Sequence, residues 1–195
     1  MIRVGITGVP GSGKTSLARG IASSGEINSV EVVSEYARRY ISKHGQITSM
    51  WEQYRIFQKQ KEWEDSVCSQ IDVMITDSPI FLGLIYCFAL PKKTSKDIMC
   101  FNDVFKGMTK LNVHRSRYDV ILHLPPVIPM KEDGVRKSEY SSDAVRQSIN
   151  EQIKVVNRDM FPPILFIELG DIHLEDRILT AINIIKEIED GSSKS

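Results

Sequence analysis

The segment Gly8–Thr15 constrains the fold of this chain more than any other feature. It reads Gly-Val-Pro-Gly-Ser-Gly-Lys-Thr, which fits the pattern G-x-x-x-x-G-K-[ST]. It follows the apolar run Ile2–Thr7 and precedes a helical pattern over 14–23. A glycine-rich turn between a strand and a helix directs backbone N–H groups and the helix N-terminus toward a bound phosphate. The sequence therefore predicts a phosphate-binding loop at one edge of a parallel sheet.

The side chains of this loop predict ATP and Mg²⁺ as ligands. Lys14 supplies a cation for the β- and γ-phosphates, and the Thr15 hydroxyl is suited to ligate Mg²⁺. The alternative is a glycine-rich turn with an incidental lysine, which the strand–turn–helix context disfavours. The residues predicted to contact ATP within this segment are Gly8, Pro10, Gly11, Ser12, Gly13, Lys14, Thr15 and Ser16.

Short apolar runs alternate with helical patterns along the rest of the chain. This alternation predicts an α/β fold of the P-loop NTPase kind, a three-layer α/β/α sandwich with a parallel sheet of about five strands. We expect one domain over 1–190, a lid loop over about 127–142, and a disordered tail over 191–195. The predicted strands cover 2–7, 30–34, 72–76, 118–124 and 164–168.

The composition narrows the function classes. Lys+Arg and Asp+Glu are equal at 25 each, so the formal net charge is zero. This balance disfavours a bulk nucleic-acid binder, although it leaves a local basic face open. The three cysteines match no zinc pattern, and no stretch reaches the ~18 apolar residues of a membrane span. We expect a monomer or homodimer in the cytoplasm of a cell or of an infected host cell, with no membrane association.

Two carboxylates lie next to predicted strands at the same edge as the loop. Asp77 follows the third strand, where a carboxylate orients Mg²⁺; it is also placed to cap the next helix, and the two roles are compatible. Glu35 follows the second strand, where it would accept a hydroxyl proton or hydrogen-bond a ribose; a helix-start carboxylate is the alternative. Arg38 lies one turn beyond Glu35 on the same helix face, so it is favoured over Arg39 as an acceptor-side cation.

Two further groups of residues are predicted to complete the site. Arg136 in the lid and Arg146 on the following helix would contact the ATP phosphates, with simple solvation as the alternative. On the long helix that starts near residue 48, Gln60 is favoured over Gln58 as a hydrogen-bonding partner of the acceptor. The aromatic residues of that helix are interpreted as core at helical spacing.

The combination of these motifs resembles the kinase domain of the NadR type, the ribosylnicotinamide kinases, and the AAA-like group of small ATPase and kinase domains around it. Nothing precedes Met1 in the given sequence, so a stand-alone kinase domain is expected. The segments that carry the resemblance are Gly8 to Thr15, Glu35-Tyr36-Ala37-Arg38, Gln60 with Glu64, Thr76-Asp77-Ser78, Tyr118-Asp119 and Asp133-Gly134-Val135-Arg136.

The resemblance implies an ATP-dependent phosphotransferase. The acceptor would be a hydroxyl, or a phosphate, of a nucleoside- or nucleotide-like small molecule, with nicotinamide riboside as one candidate. The alternatives are an ATPase or switch that acts through a protein partner, and a kinase for modified DNA bases or polynucleotide ends. The predicted catalytic residues are Lys14, Glu35, Asp77 and Arg136, and the predicted acceptor-side residues are Glu35, Tyr36, Arg38 and Gln60.

Overall fold

The computed structural model describes residues 1–89, 94–113, 117–127, 142–160, 164–170 and 173–192. The strands are β1 (Ile2–Gly8), β2 (Val30–Val33), β3 (Val73–Asp77), β4 (Val120–Leu124) and β5 (Leu165–Glu168). The helices are α1 (Lys14–Ser23), α2 (Tyr36–His44), α3 (Met50–Asp65), α4 (Phe81–Ala89), α5 (Ser95–Val113), α6 (Asp143–Met160) and α7 (Leu174–Ser192).

The five strands form one parallel sheet in the order β2-β3-β1-β4-β5. Every residue of β3 and β4 is buried, as expected of inner strands that helices cover on both faces. The edge strands β2 and β5 are only partly buried. The predicted α/β fold with a five-stranded parallel sheet is confirmed.

Two apolar clusters lie on opposite faces of the sheet. On one face, Leu17 and Ile21 of α1 pack with Ile182 and Ile185 of α7 against the sheet. On the other face, residues of α3, α4, α5 and α6 form a second cluster that reaches Ile121 of β4. No helix within the described ranges is long and apolar enough to cross a membrane.

Helix α3 begins and ends at different residues from those predicted. Ser49, rather than Thr48, is the N-cap: its Oγ accepts from Glu52 N at 3.3 Å, and Glu52 Oε2 accepts from Ser49 N at 3.0 Å. This reciprocal capping box satisfies two N–H groups, which the lone Thr48 cap would not. The sequence pattern predicts an end near Ser69, whereas the helix ends at Asp65 with Ser66 as the C-cap.

The described residues cover only 191 and 192 of the disordered tail predicted over 191–195. Helix α7 continues through Gly191 to Ser192, because a helix that is nucleated and packed extends at little further cost. Residues 193–195 lie outside the described residues, as does most of the predicted lid, at 128–141.

Leu17→Ala should test the α1–α7 layer. The Leu17 side chain is fully buried, and removal of three carbons from a packed site costs about 2–5 kcal/mol in the free energy of unfolding. Urea denaturation should show this loss, whereas Leu179→Ala on α7, 59% exposed, should change the free energy by less than about 0.5 kcal/mol. Equal effects of the two substitutions would contradict the packing described.

Candidate active site

The loop between β1 and α1 has the backbone of a phosphate cradle. Gly13, the N-cap of α1, has φ +96°, a left-handed conformation that side chains disfavour. At Gly8 a Cβ would lie 2.5 Å from Leu124 O and 2.7 Å from Ser12 Oγ. Only glycine therefore permits the loop to pass this close to β4, which accounts for the spacing of the motif.

Lys14 lies under this loop with only 7% of its surface exposed. Its Nζ donates to the carbonyl oxygens of Gly8 and Val9, each at 3.0 Å. These bonds fold the ammonium group back across the loop. The structure thus places a buried cation at the loop, as its predicted role requires.

Thr15 and Asp77 meet because β1 and β3 are hydrogen-bonded neighbours. Thr15 Oγ1 donates to Asp77 Oδ2 at 2.5 Å. Burial raises the pKa of Asp77, and the nearby Glu35 adds to this, whereas Lys14 and the Thr15 hydrogen bond act in the opposite direction. Charges from the loop, β3 and α2 therefore converge on one carboxyl group.

The Thr15–Asp77 pair has the chemistry of a Mg²⁺ site. Asp77 is only 4% exposed, and its Oδ1 is buried. This oxygen makes no hydrogen bond among the described residues. An oxygen in this state is suited to a cation or its hydration water. In the described part of the chain, no three acidic, histidine or cysteine side chains are placed so that they could hold a metal ion together. Any Mg²⁺ bound here would need phosphate oxygens and water as further ligands.

Glu35 lies at the start of α2, one helical turn before Arg38. It is the N-cap residue by position, but its carboxylate makes no capping hydrogen bond. Arg38 Nε lies 4.0 Å from Glu35 Oε2, so the two side chains approach each other across one helical turn. Arg39 points elsewhere, over the ring of Trp63 at 5.7 Å. The geometry agrees with the preference for Arg38 as the neighbour of Glu35.

A small cavity adjoins Glu35 and Ser78, the residue that follows Asp77. Its volume is about 30 Å³ in this structure, and its walls come from α2, α3 and the segment after β3. Among the described residues that line it, Glu35 is the one that carries a carboxylate. The lining residues are Glu35, Ala37, Gln53, Ile56, Phe57, Gln60, Ser78, Pro79, Ile80, Leu82, Gly83 and Tyr86.

Gln60 faces this cavity with a fixed amide group. Its Oε1 accepts from Tyr36 N at 2.8 Å, which leaves the Nε2 group on the other side of the amide. Nε2 is buried and makes no hydrogen bond within the described residues, and the whole residue is only 5% exposed. The cavity therefore contains an unsatisfied donor as well as the Glu35 carboxylate.

Unsatisfied polar atoms gather at the carboxyl end of the sheet. Thr7 pairs with His123 in the β1–β4 register, so both side chains lie on the same face. Buried polar groups without partners are rare, and a group of them indicates a site for water or ligand. The buried atoms in this region that lack hydrogen-bond partners in the described structure are Thr7 Oγ1, Ser12 Oγ, Gln60 Nε2, Thr76 Oγ1, Asp77 Oδ1 and His123 Nδ1.

Ser78, next to Asp77, has a strained backbone. Its φ is +80°, the only positive value at a described residue other than glycine. A left-handed residue that bears a Cβ costs about 1–2 kcal/mol, and such strain concentrates at functional sites. Ser78 N donates to Ile6 O at 3.2 Å, which holds the turn against β1. The turn directs the segment from Ser78 to Ile80 into the wall of the cavity.

Behind this wall lies a buried cluster formed by Glu64, Arg117 and Tyr118. Arg117 Nε donates to Glu64 Oε2 at 2.7 Å, and Tyr118 OH donates to the same carboxylate at 2.9 Å. Tyr118 OH in turn accepts from Ile80 N at 2.9 Å. Burial raises the pKa of Glu64, and Arg117 and Tyr118 oppose that increase.

Several predicted site residues lie away from the cavity or outside the described residues. The Tyr36 ring packs edge-on against Trp63 at 5.0 Å and does not line the cavity, so its nearest link to the site is its backbone N–H. Arg146 is buried in the first turn of α6, with its Nη1 3.5 Å from Asp143 Oδ1. Arg136 lies outside the described residues.

The sequence interpretation missed three residues that shape the site. Gln53 lines the cavity, Ser78 forms the strained turn, and Tyr118 hydrogen-bonds Ile80. A signal for one of them exists: Gln53 shares the buried stripe of α3 with Gln60 and Glu64. Three polar residues on the apolar face of an amphipathic helix indicate that this face meets something other than core. Ser78 and Tyr118 lie in segments that carry the family resemblance, Thr76-Asp77-Ser78 and Tyr118-Asp119, but the sequence assigned neither of them a role.

Comparison with known proteins shows the family of this chain. A family described as an AAA domain matches residues 3–177. The chain belongs to this AAA-domain family. No curated protein matches the chain.

Solved structures with the same fold include several kinases. A NadR protein in complex with NR is 22% identical, with a TM-score of 0.69, over 95% of this chain and 49% of that chain. Deoxyadenosine kinase from M. mycoides is 15% identical, with a TM-score of 0.62, over 95% of this chain and 100% of that chain. Thymidylate kinase from Candida albicans is 16% identical, with a TM-score of 0.62, over 96% and 92%.

These similarities confirm the P-loop kinase fold and the resemblance to NadR. The chain spans about half the length of the NadR chain that it matches. At these identities the similarity establishes the fold of this AAA-domain protein. Its chemistry depends on the side chains at its own site.

Arg117→Met should destabilise the protein in a pH-dependent way. The substitution leaves Glu64 buried without its cation, which costs about 3–5 kcal/mol near pH 8. With the cation gone, the folded-state pKa of Glu64 should rise further above its value in the unfolded chain. The folded state then binds the proton more tightly, so stability falls as pH rises and the deficit should shrink toward pH 5.

Urea titrations at pH 5 and pH 8 measure this difference. The double variant E64Q/R117M removes the buried charge and should recover much of the loss at pH 8. A deficit that is the same at both pH values would show that Arg117 does not compensate the Glu64 charge.

Proposed function

We propose that this AAA-domain protein is an ATP-dependent kinase that phosphorylates a hydroxyl group of a nucleoside-like small molecule. The observation that carries the proposal is the position of Glu35, which lines the cavity together with Ser78 and lies close enough to Asp77 to interact with it electrostatically. Asp77 is in turn hydrogen-bonded to Thr15 of the phosphate-binding loop. A nucleotide switch needs the loop and Asp77, but it has no need of a second cavity with a carboxylate and an unsatisfied amide.

The donor half of the site would hold the triphosphate of ATP. The glycine-rich backbone and the N-terminus of α1 would bind the β-phosphate, and Lys14 would exchange its bonds to Gly8 O and Val9 O for phosphate oxygens. Thr15 and Asp77 would hold Mg²⁺, which when bound neutralises charge on the phosphates. Arg136 and Arg146 remain proposals as further phosphate contacts.

The acceptor half would orient a hydroxyl group toward the γ-phosphate. Glu35 would accept the proton of that hydroxyl as the oxygen attacks, a task suited to a carboxylate within hydrogen-bond reach. Arg38, close to Glu35, would stabilise charge on the transferred group. Water must leave this space before transfer, which is the role we propose for the lid over about 127–142.

The cavity lining favours a flat, partly polar ring as the remainder of the acceptor. Phe57 and Tyr86 provide aromatic surface, and Gln60 Nε2 provides a donor to a ring nitrogen or carbonyl oxygen. The observed volume of about 30 Å³ holds no more than one or two water molecules, so a nucleoside would have to open it. Two proteins with this fold support the proposal by the molecules bound to them: a NadR protein is in complex with NR, and a deoxyadenosine kinase has the product dCMP bound.

Substitutions at Lys14 and Glu35 should separate the two halves of the site. Lys14→Ala should reduce ATP turnover about 10²-fold or more, because it removes the cation at the β- and γ-phosphates. Glu35→Gln should reduce acceptor phosphorylation by about 10²- to 10⁴-fold while ATP affinity stays within about 2-fold. Release of ADP measures turnover, and the binding of a non-hydrolysable ATP analogue measures affinity.

The acceptors for this test are nicotinamide riboside, the deoxynucleosides and their monophosphates. Stimulation of ADP release by a nucleoside, lost in Glu35→Gln, supports the kinase. Arg39→Gln is the control for a charge change on the same helix, because Arg39 lies over Trp63 rather than beside Glu35. ADP release that no acceptor stimulates would favour the ATPase or switch, and unchanged acceptor turnover in Glu35→Gln would remove Glu35 as the base.

A further inference from the structure

Glu64, Arg117 and Tyr118 are joined by several hydrogen bonds, although none of them lines the cavity beside Glu35. Glu64 is fully buried, and Tyr118 is 2% exposed. Arg117 also donates to Asp65 Oδ1 at 2.7 Å and to Lys61 O at 3.4 Å. Its guanidinium group is therefore hydrogen-bonded to the last turn of α3. Replacement of a buried ion pair by apolar side chains is often neutral or stabilising. Stability alone therefore gives little reason for this arrangement.

One end of the cluster holds the turn that follows β3. Tyr118 OH accepts from Ile80 N, two residues beyond the strained Ser78. At the strained residue itself, Ser78 N donates to Ile6 O of β1. A strained residue persists only where its surroundings fix it from both sides. These two bonds fix the segment that joins Asp77 to the cavity wall.

The other end of the cluster holds α3. Glu64 lies one turn after Gln60, on the same buried face of that helix. Gln60 Oε1 in turn accepts from the N–H of Tyr36, which directly follows Glu35. The position of α3 along the sheet thus affects both the Gln60 amide and the start of α2.

We propose that Glu64, Arg117 and Tyr118 form a brace that positions the two walls of the acceptor cavity relative to each other. The brace joins α3 to the segment from Ser78 to Ile80, and its members act as positioning residues without contact to the acceptor. This inference rests on the proposed kinase function, because it assigns the brace to the acceptor side of that site. The loop over Gly8–Thr15 makes none of the bonds described for the brace, so ATP binding should be independent of it.

Tyr118→Phe tests the brace with the loss of one oxygen atom. The variant keeps the ring that packs edge-on against Phe81, but Ile80 N and Glu64 lose their shared partner. Hydrogen exchange of the amides over 78–83 should become at least ~10-fold faster, while exchange over 8–15 stays the same. Acceptor kcat/KM should fall about 10-fold or more, with the KM for ATP within about 2-fold.

Tyr40→Phe is the matched control. It also removes a tyrosine hydroxyl that is buried and bonded to a carboxylate, here Glu52 Oε1 at 3.3 Å, but this hydroxyl lies outside the brace. The control should lower the melting temperature without faster exchange over 78–83 and without an acceptor-specific loss. The acceptor probe is whichever of nicotinamide riboside, deoxyadenosine, deoxycytidine and thymidine stimulates wild-type ADP release most. Glu64→Gln, which keeps the shape of the side chain, serves as the second variant if Tyr118→Phe fails to fold.

Faster exchange over 78–83 together with an acceptor-specific loss supports the brace. Unchanged exchange there would overturn it, as would faster exchange with acceptor kinetics equal to those of the control. An equal loss of ATP and acceptor affinity would also overturn it, because the cluster would then serve stability alone. If no probe stimulates wild-type ADP release, the proposed function fails, and the exchange data still decide whether the cluster holds the turn.

Discussion

The direct pairing of β1 with β3 is the constraint on which the rest of this structure depends. The parallel register places Ile6 beside Asp77, so the loop that follows β1 and the turn that follows β3 leave the sheet side by side. The 2.5 Å bond between Thr15 Oγ1 and Asp77 Oδ2 is a consequence of this register. A shift of one residue would carry Asp77 to the opposite face of the sheet and separate the two side chains. The cation site and the cavity wall beyond Ser78 both follow from that alignment.

Buried polar atoms that lack hydrogen-bond partners give the carboxyl end of the sheet its chemical character. Asp77 Oδ1 and Gln60 Nε2 are desolvated, yet neither has a hydrogen-bond partner in the described structure. Each such atom costs about 1–3 kcal/mol unless water or a ligand satisfies it. Groups held in this state need little reorganisation when a ligand arrives, so part of the cost of assembling the site is met during folding. The strained backbone of Ser78 is likewise fixed during folding, and it directs the turn into the wall of the cavity.

The sequence was sufficient for the strand–loop–helix element and for the parallel sheet. The pattern from Gly8 to Thr15 and the mainly apolar runs of β3 and β4 are local signals, which can be read directly from the sequence. The position of Glu35 followed from its place after the second strand, and the preference for Arg38 followed from helix periodicity. Ser78 and Tyr118 could not be found in this way, because their importance lies in a backbone angle and in a hydrogen bond between residues 38 positions apart. The capping box at Ser49 was missed for a smaller reason: Glu52 satisfies the N–H of Ser49 and the N–H of Thr48, so both were plausible caps.

The central claim is that the loop at Gly8–Thr15 and the cavity beside Glu35 are two halves of one phosphoryl-transfer site. The most direct measurement follows the phosphate itself. ATP labelled with ¹⁸O in the γ-phosphate is incubated with the protein and a nucleoside, and the products are identified by mass spectrometry. The account predicts the labelled phosphoryl group on the nucleoside, with ADP in equal amount. Label found only in inorganic phosphate, in the same quantity with and without the nucleoside, would contradict it.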